Sequence, residues 1–291
     1  MTAELIDGKA LAAAVRERIK GEVAELQAEH GWVPGLAAVL VGEDPASEVY
    51  VGMKHRDCVS VGMVSRQERL PADTSQEELE ALVADINADD AIDGLLVQLP
   101  LPDHLDERRV QRAIATDKDV DALHPMTAGQ LAIGEPTFLS CTPYGVLELL
   151  EHAGVELSGA DVVVVGRSNL VGRPLSTMLS LKGRDATVTL AHSRTRDLGE
   201  VTRRADVIVA AAGRQDLITA DMVSPGTTVI DVGTNRADDG SLVGDVDFDG
   251  VREVARAITP VPGGVGPMTR AMLLQNTLEA ARVRHGLPRH G

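Results

Sequence analysis

Tyr50 and Lys54, in the run EVYVGMKHRDC, form the chain's most evident proton-transfer pair. Residues four apart share one face of a helix. The phenol can then orient the amine for proton transfer or for stabilising developing negative charge. The competing reading is a tyrosine packed beside the stem of a surface lysine. A second candidate lies in DGLLVQLPLP, where an apolar run ends at Gln98 and two prolines stop its extension. The carboxyl ends of strands are where α/β sheets carry ligand contacts. An amide there can orient a lysine or a substrate heteroatom, or merely satisfy its own loop. A third candidate is Asp121 in TDKDVDALHP, set between Val120 and Ala122 in a position suited to point inward. Its carboxylate can accept two parallel N–H bonds from the edge of a 2-amino-pyrimidinone. The aspartates of this run match no metal-site spacing, the histidines form no H-E-x-x-H pattern, and no metal is expected.

A different chemistry belongs to DVVVVGRSNLVGRP, Asp161 to Pro174. Consecutive valines are the pattern of a parallel strand buried on both faces. Gly166, Arg167, Ser168 and Gly172 then fall in the turn that leads into a helix starting near Leu170 or Val171. Such a turn presents backbone N–H groups and a helix N-terminus to a phosphate. The spacing is not the common G-x-G-x-x-G, so an ordinary βα turn remains an alternative. The next strand narrows the choice. An NAD site places a carboxylate at its end to bond the ribose 2′-hydroxyl, but here the strand runs into His192, Ser193, Arg194 and Thr195. Arg194 and Arg167 can pair with a 2′-phosphate and Ser193 can donate to it, which favours NADP. Near the end of the chain, TPVPGGVGPMT concentrates glycine and proline around Pro262, Gly263 and Gly264. This composition makes a rigid loop that another molecule can approach closely.

The elements that must carry these residues alternate between helix and strand. Helices are expected from about Gly8 to Glu29, Pro45 to Val61, Ser75 to Ala88 and Leu105 to Ala115. Between them lie strands at Leu36–Val41, Met63–Arg69 and Ile92–Val97, and an irregular acidic loop runs to Pro125. A bridging helix over Cys141–Gly154, capped by Thr142 with Pro143 at its first position, leads to the second part. There, strands are expected at Val162–Val165, Thr187–Leu190, Val207–Ala211 and Thr228–Asp231. A small hairpin turns at Asp238–Gly240, and a last helix begins at Met268–Thr269 and runs to about Arg284. The alternation predicts α/β architecture in both parts, the second a Rossmann-like domain with a mostly parallel sheet.

Composition excludes several function classes. The 291 residues carry a formal charge of −16, which argues against general binding to nucleic acid or an anionic membrane. No apolar stretch is long enough to span a bilayer. The N-terminus has early acids and enters an amphipathic helix, unlike a secretory signal. Cys58 and Cys141 are too few for a disulfide framework and read as small buried hydrophobes. The chain is expected to be cytoplasmic.

Together, YVGMKHRDC, VQLPLP, DKDVDALHP, CTPYGVLELL, GRSNLVGRPL, AHSRT, IDVGTNR, GDVDF and TPVPGGVGPMT resemble, in this order, the bifunctional methylenetetrahydrofolate dehydrogenase/methenyltetrahydrofolate cyclohydrolase family. The resemblance runs from Leu5 to about Asn276. It implies a catalytic, folate-binding domain over 1–140, joined by the C-terminal helix 270–291, and an NADP domain over 141–269, with a cleft between them. It further implies oxidation of 5,10-methylenetetrahydrofolate by NADP and hydrolysis of the methenyl product to 10-formyltetrahydrofolate, in one-carbon metabolism. A mainly monofunctional dehydrogenase or cyclohydrolase of the family is the alternative. Lys54 falls on the catalytic position, supported by Tyr50 and Gln98. Asp121 falls on the position that holds the pterin, and Tyr50, Pro262, Gly263 and Gly264 border the substrate. Gly166, Arg167, Ser168, Gly172, Ser193, Arg194 and Thr234 fall on cofactor positions. The partners implied are tetrahydrofolate derivatives and a second copy in a homodimer. Gly52, Met53, Ser140, Gln215 and Thr234 depart from the residues usual at their places. None removes a proposed catalytic side chain, and Gly52 loosens its helix by about 1 kcal/mol relative to alanine.

Overall fold

The computed structural model describes residues 2–289. Met1 and residues 290–291 of the expected C-terminal segment lie outside the described residues. In chain order the elements are β1 (Glu4–Leu5), α1 (Gly8–His30), β2 (Gly35–Val41), α2 (Pro45–Ser60), β3 (Val64–Leu70), α3 (Gln76–Ala88), β4 (Gly94–Val97), α4 (Glu107–Ala113), α5 (Pro125–Ala132) and α6 (Cys141–His152). They continue with β5 (Asp161–Val165), α7 (Gly172–Ser180), β6 (Thr187–Ala191), α8 (Leu198–Thr202), β7 (Val207–Ala210), β8 (Thr228–Asp231), β9 (Asn235–Arg236), β10 (Leu242–Val243), α9 (Phe248–Arg252), β11 (Ala257–Ile258) and α10 (Val265–Arg284).

The chain forms two compact units, and each is interrupted in sequence. One comprises Ala13–Cys141 with the segment that starts at Arg270, and we call it the lysine unit. The other comprises the first residues up to Ala12 with Thr142–Thr269, and we call it the glycine-turn unit. The expected first domain starts at residue 1, whereas residues before Ala13 pack with the second unit. The reason is β1, which pairs in parallel with β11 through Glu4↔Ala257 and Leu5↔Ile258.

The lysine unit is built on a three-stranded sheet ordered β3-β2-β4, parallel throughout. Every residue of the central strand, GLAAVLV, is buried, which is why it reads as an unbroken apolar run. Ala37, Val39 and Val41 point to one face of it and pack with Leu79, Val83 and Ile86 of α3. That i, i+4, i+7 spacing makes a helical stripe. Ser75 and Glu78 close the expected capping box at the start of α3, with Glu78 N donating to Ser75 Oγ at 3.2 Å and Ser75 N to Glu78 Oε2 at 2.9 Å.

The glycine-turn unit is built on six strands ordered β1-β11-β8-β7-β5-β6, all parallel. Val163 and Val165, Ile208 and Ala210, Val229 and Ile258 share one core on one face of this sheet. Val162 and Val164 alternate to the other face and are buried as well. The expected hairpin is present as antiparallel β9 and β10.

Some boundaries differ from expectation for local reasons. The acidic loop ends in a helix, α5, whose first residue is Pro125 and whose cap is His124, its Nδ1 accepting from Met126 N at 2.9 Å. A histidine cap followed by proline is a rarer start signal than Ser, Thr, Asp or Asn. Helix α6 begins at Cys141, one residue before the expected Thr142 cap. Helix α10 begins at Val265, because the glycine-rich loop turns directly into it. Among the described residues no helix is long and apolar enough to cross a membrane.

Candidate active site

Helix α2 carries the first part of the site. Asp44 caps it, with Oδ2 accepting from Ser47 N at 2.7 Å, and Pro45 occupies its first turn. Lys54, in the second half of this helix, donates from Nζ to Gln98 Oε1 at 2.9 Å. Gln98 follows the last residue of β4. Its own Nε2 donates to Leu99 O at 2.7 Å and its main-chain N–H to Val39 O at 2.8 Å. These two bonds turn the amide oxygen toward the lysine. Burial, the largest influence, pushes the Lys54 amine below its ordinary range. The negative charge of Asp121 pulls it back up, and the positive charge of Arg270 pushes it further down.

Asp121 is held by what flanks it. Lys118 is fully buried and donates from Nζ to Ile86 O at 3.0 Å and Asp89 O at 2.7 Å, closing the end of α3. The Asp119 carboxylate accepts from Leu123 N at 3.1 Å, His124 N at 2.9 Å and Thr127 Oγ1 at 2.7 Å, at the start of α5. Lys118 and Asp119 are thus committed to structure, and Asp121 alone of the run is left to the lysine. No group of three or more metal-ligating side chains occurs among the described residues.

Three residues here were not expected as functional. The Cys141 thiol is buried, donates to Val120 O at 3.3 Å and is pushed well above its ordinary range, chiefly by burial and then by Asp121. It stays protonated and is no nucleophile. Asn276 braces the same segment, donating to Val120 O at 2.7 Å and Leu139 O at 2.8 Å. Arg270 donates from Nε to Asp57 Oδ2 at 2.6 Å and lies 3.4 Å from Met53 Sδ, on both sides of Lys54 in sequence. No spacing rule could have found it, since it lies far along the chain. Tyr50 sits one turn before Lys54 and is half-buried, without a hydrogen bond to Lys54 or Gln98 among the described residues.

The glycine-turn unit gathers the second part at one edge of its sheet. Neighbouring strands β6, β5, β7, β8 and β11 release, at their carboxyl ends, Ser193 and Arg194, then Gly166–Gly172, then Ala211–Arg214, then Thr234, then Pro262–Gly264. Strand order reverses beside β5, where open α/β sheets bind ligands. Gly166 has φ 126°, and a Cβ there would fall 2.0 Å from Ala211 O. A Cβ on Gly172 would fall 1.9 Å from Gly166 O, so the start of α7 lies directly on the turn. Ser168 Oγ accepts from Val171 N at 3.1 Å, and the helix start has no side-chain cap. A carboxylate is absent from the end of β6, and the turn there is closed by His192 and Thr195, with Thr195 N donating to His192 O at 2.8 Å. Arg167, Ser193 and Arg194 are exposed, and neither arginine side chain has a protein partner among the described residues. Thr234 is exposed, as is Pro262, while Gly264 is buried.

Comparison with known proteins decides what these parts belong to. Residues 6–121 match the catalytic domain of the tetrahydrofolate dehydrogenase/cyclohydrolase family, and residues 140–285 match its NAD(P)-binding domain. The chain belongs to that family. It is 57% identical over 282 residues to the bifunctional protein FolD of Moorella thermoacetica, covering 97% of this chain and all of that one. The crystal structure of the Campylobacter jejuni bifunctional enzyme superposes with a TM-score of 0.94 at 46% identity, over 97% of this chain and 99% of that one. The Trypanosoma brucei enzyme, in complex with NADP cofactor and an inhibitor, gives a TM-score of 0.94 at 40% identity, over 98% of this chain and 99% of that one. The family, its bifunctional enzyme class and the α/β architecture expected from the sequence hold. Within this family member the structure brings Lys54, Gln98 and Asp121 together in one unit, with Tyr50 on the same helix. The expected cofactor residues and Pro262–Gly264 lie along one sheet edge of the other.

Proposed function

We propose that this enzyme uses NADP to oxidise 5,10-methylenetetrahydrofolate and then hydrolyses the methenyl product to 10-formyltetrahydrofolate, as a cytosolic homodimer. The observation that carries the reading is the hydrogen-bonded Lys54–Gln98 pair with its depressed amine.

The oxidation needs no strong base, only correct placement and tolerance of a cationic product. When bound, NADP supplies the hydride acceptor. Its pyrophosphate suits the Gly166–Gly172 turn, where the close backbone approach and the uncapped start of α7 fit an anion. The 2′-phosphate suits Ser193 and the unpartnered Arg194 and Arg167, and Thr234 borders the same edge. The Asp121 carboxylate accepts the pyrimidinone N–H pair of the folate, and Tyr50 borders the substrate from α2.

Hydrolysis needs proton transfer. A neutral Lys54 takes a proton from water as its oxygen bonds to the methenyl carbon. It returns a proton to N5 as the C–N5 bond breaks, and the second water proton is released as the formyl group forms. Gln98 holds the amine in place through the 2.9 Å contact, while burial and Arg270 weaken its hold on its proton.

The test is the variant Lys54→Met. It abolishes hydrolysis of methenyltetrahydrofolate, followed by loss of methenyl absorbance, while NADPH binding and the thermal unfolding transition persist. Unchanged hydrolysis would remove Lys54 from the mechanism. Size-exclusion chromatography with light scattering at micromolar concentration tests the dimer.

A further inference from the structure

The motifs IDVGTNR and GDVDF place two aspartates, Asp231 and Asp245, deep inside the glycine-turn unit, at 3% and 0% exposure. Neither has a part in the reading above. The Asp245 carboxylate accepts four hydrogen bonds. Oδ2 takes Ala212 N at 2.6 Å and Gly213 N at 2.9 Å, and Oδ1 takes Arg214 N at 2.8 Å and Asn235 Nδ2 at 2.9 Å. Consecutive main-chain N–H groups converging on one anion form a nest, a shape that elsewhere receives a phosphate or other ligand. Here the protein fills its own nest.

The filled loop is the one that meets the glycine turn. Ala211 N donates to Val165 O at 2.8 Å, and Ala211 O is the atom that a side chain on Gly166 would strike at 2.0 Å. The shape of 211–214 therefore sets the space in which Gly166 and the start of α7 lie. Asp245 is itself held from the next strand exit. Asp231 Oδ1 accepts from Asp245 N and Gly233 N, both at 2.9 Å, and Oδ2 accepts from Val246 N at 3.0 Å. The approach is so close that a Cβ on Gly244 would fall 1.8 Å from Asp231 Oδ2. Asn235 ties the two exits together, bonding Gly244 O at 3.0 Å as well as Asp245.

We propose that Asp245 is a positioning residue for the dinucleotide crevice: its buried carboxylate locks the 212–214 loop in the shape against which the Gly166 turn is built. The loop is ordered before a ligand arrives, so binding does not have to bear the cost of ordering it. This inference rests on the reading that the Gly166–Gly172 turn holds the dinucleotide.

The experiment uses the full-length enzyme and the variant Asp245→Asn. An asparagine offers one acceptor oxygen and turns an NH2 group toward amides that need an acceptor, leaving buried N–H groups unpaired. NADPH affinity, read by the fluorescence of the bound nucleotide, is expected to fall about tenfold or more. Amide hydrogen exchange at Ala212, Gly213 and Arg214 is expected to accelerate in the ligand-free protein. Cyclohydrolase activity assayed without dinucleotide stays at the parent value, because its proposed proton carrier, Lys54, belongs to the other unit. If Asp245→Asn does not fold, Asn235→Ala removes a single donor and gives a smaller loss in the same direction. Parent-like NADPH affinity in either folded variant overturns the inference and leaves the site reading standing. A parent enzyme that binds no NADPH overturns both.

Discussion

Around Lys54 the protein works with side chains taken out of water; around Gly166 it works with closely packed backbone beneath side chains left open to water. The lysine is crowded by Gln98, Asp121, Cys141 and Arg270, and its proton affinity is the net result of its own burial and the charges of Asp121 and Arg270. The glycine turn carries exposed Arg167 and Ser168, with Arg194 exposed past the end of β6, while the rigid part of the turn is main chain packed on main chain. Proton transfer depends on how strongly a group holds its proton, so its site must control solvation. Hydride transfer depends on placement, so its site must control shape. On the proposed reading, each unit is built from the material its half of the chemistry requires.

The comparison predicts that damage to shape spares the lysine and damage to charge spares the turn. The largest effect is expected from Gly166→Ala. The added carbon strikes Ala211 O and sits at a φ of 126°. Strain of this kind should weaken NADPH binding by up to about a hundredfold, with hydrolysis of methenyltetrahydrofolate retained. Loss of both activities in a folded variant would break the separation. Next comes Arg194→Ala. Removing a charge-assisted contact to the 2′-phosphate should weaken NADP by about tenfold or more and leave NAD nearly unchanged. Equal losses for both cofactors would show that Arg194 does not read that phosphate.

A subtler effect is expected at Arg270, whose replacement leaves the glycine turn alone and removes the charge beside Lys54 together with the ion pair to Asp57. If Lys54 is the proton carrier proposed above, cyclohydrolase activity is expected to rise with pH as its amine loses its proton. Burial and then Arg270 lower the pH at which this happens. Arg270→Met therefore moves the rise to higher pH, and Arg270→Lys, which keeps the charge, moves it less. A pH profile unmoved by Arg270→Met would detach Arg270 from the amine. The smallest effect is at Gly52, where a Cβ would meet only Arg56 NH1, at an ordinary 3.7 Å. Gly52→Ala should stabilise α2 by about 1 kcal/mol or less, read as a rise in the unfolding midpoint. Destabilisation would mean that the helix needs its looseness there.

Legibility in the sequence followed the same division. The strand VVVV, the turn after it and the Lys54–Gln98 candidates could be read because each signal is contiguous or falls at the end of an apolar run. Strands β1 and β11 escaped, because two residues cannot show a period of two. Helix α5 escaped because its start, His124–Pro125, resembles a turn. Arg270 and Cys141 escaped for a deeper reason. Their roles come from distance and burial, which are properties of the folded chain. Asp121 is legible from its apolar neighbours, whereas the structural role of Asp119 shows only in its partners.

The pairing of β1 with β11 also bears on how the molecule comes to exist. The glycine-turn unit joins Glu4 and Leu5 to Ala257 and Ile258, and the lysine unit takes in the segment beginning at Arg270. During synthesis the first strand must wait for nearly the whole chain to emerge before its partner is available. Neither unit can finish while the other is still being made, and such long-range parallel pairing is slow and exposes unpaired edges meanwhile. The two activities are therefore tied at birth as well as in one polypeptide: a ribosome that stalls before residue 257 delivers neither.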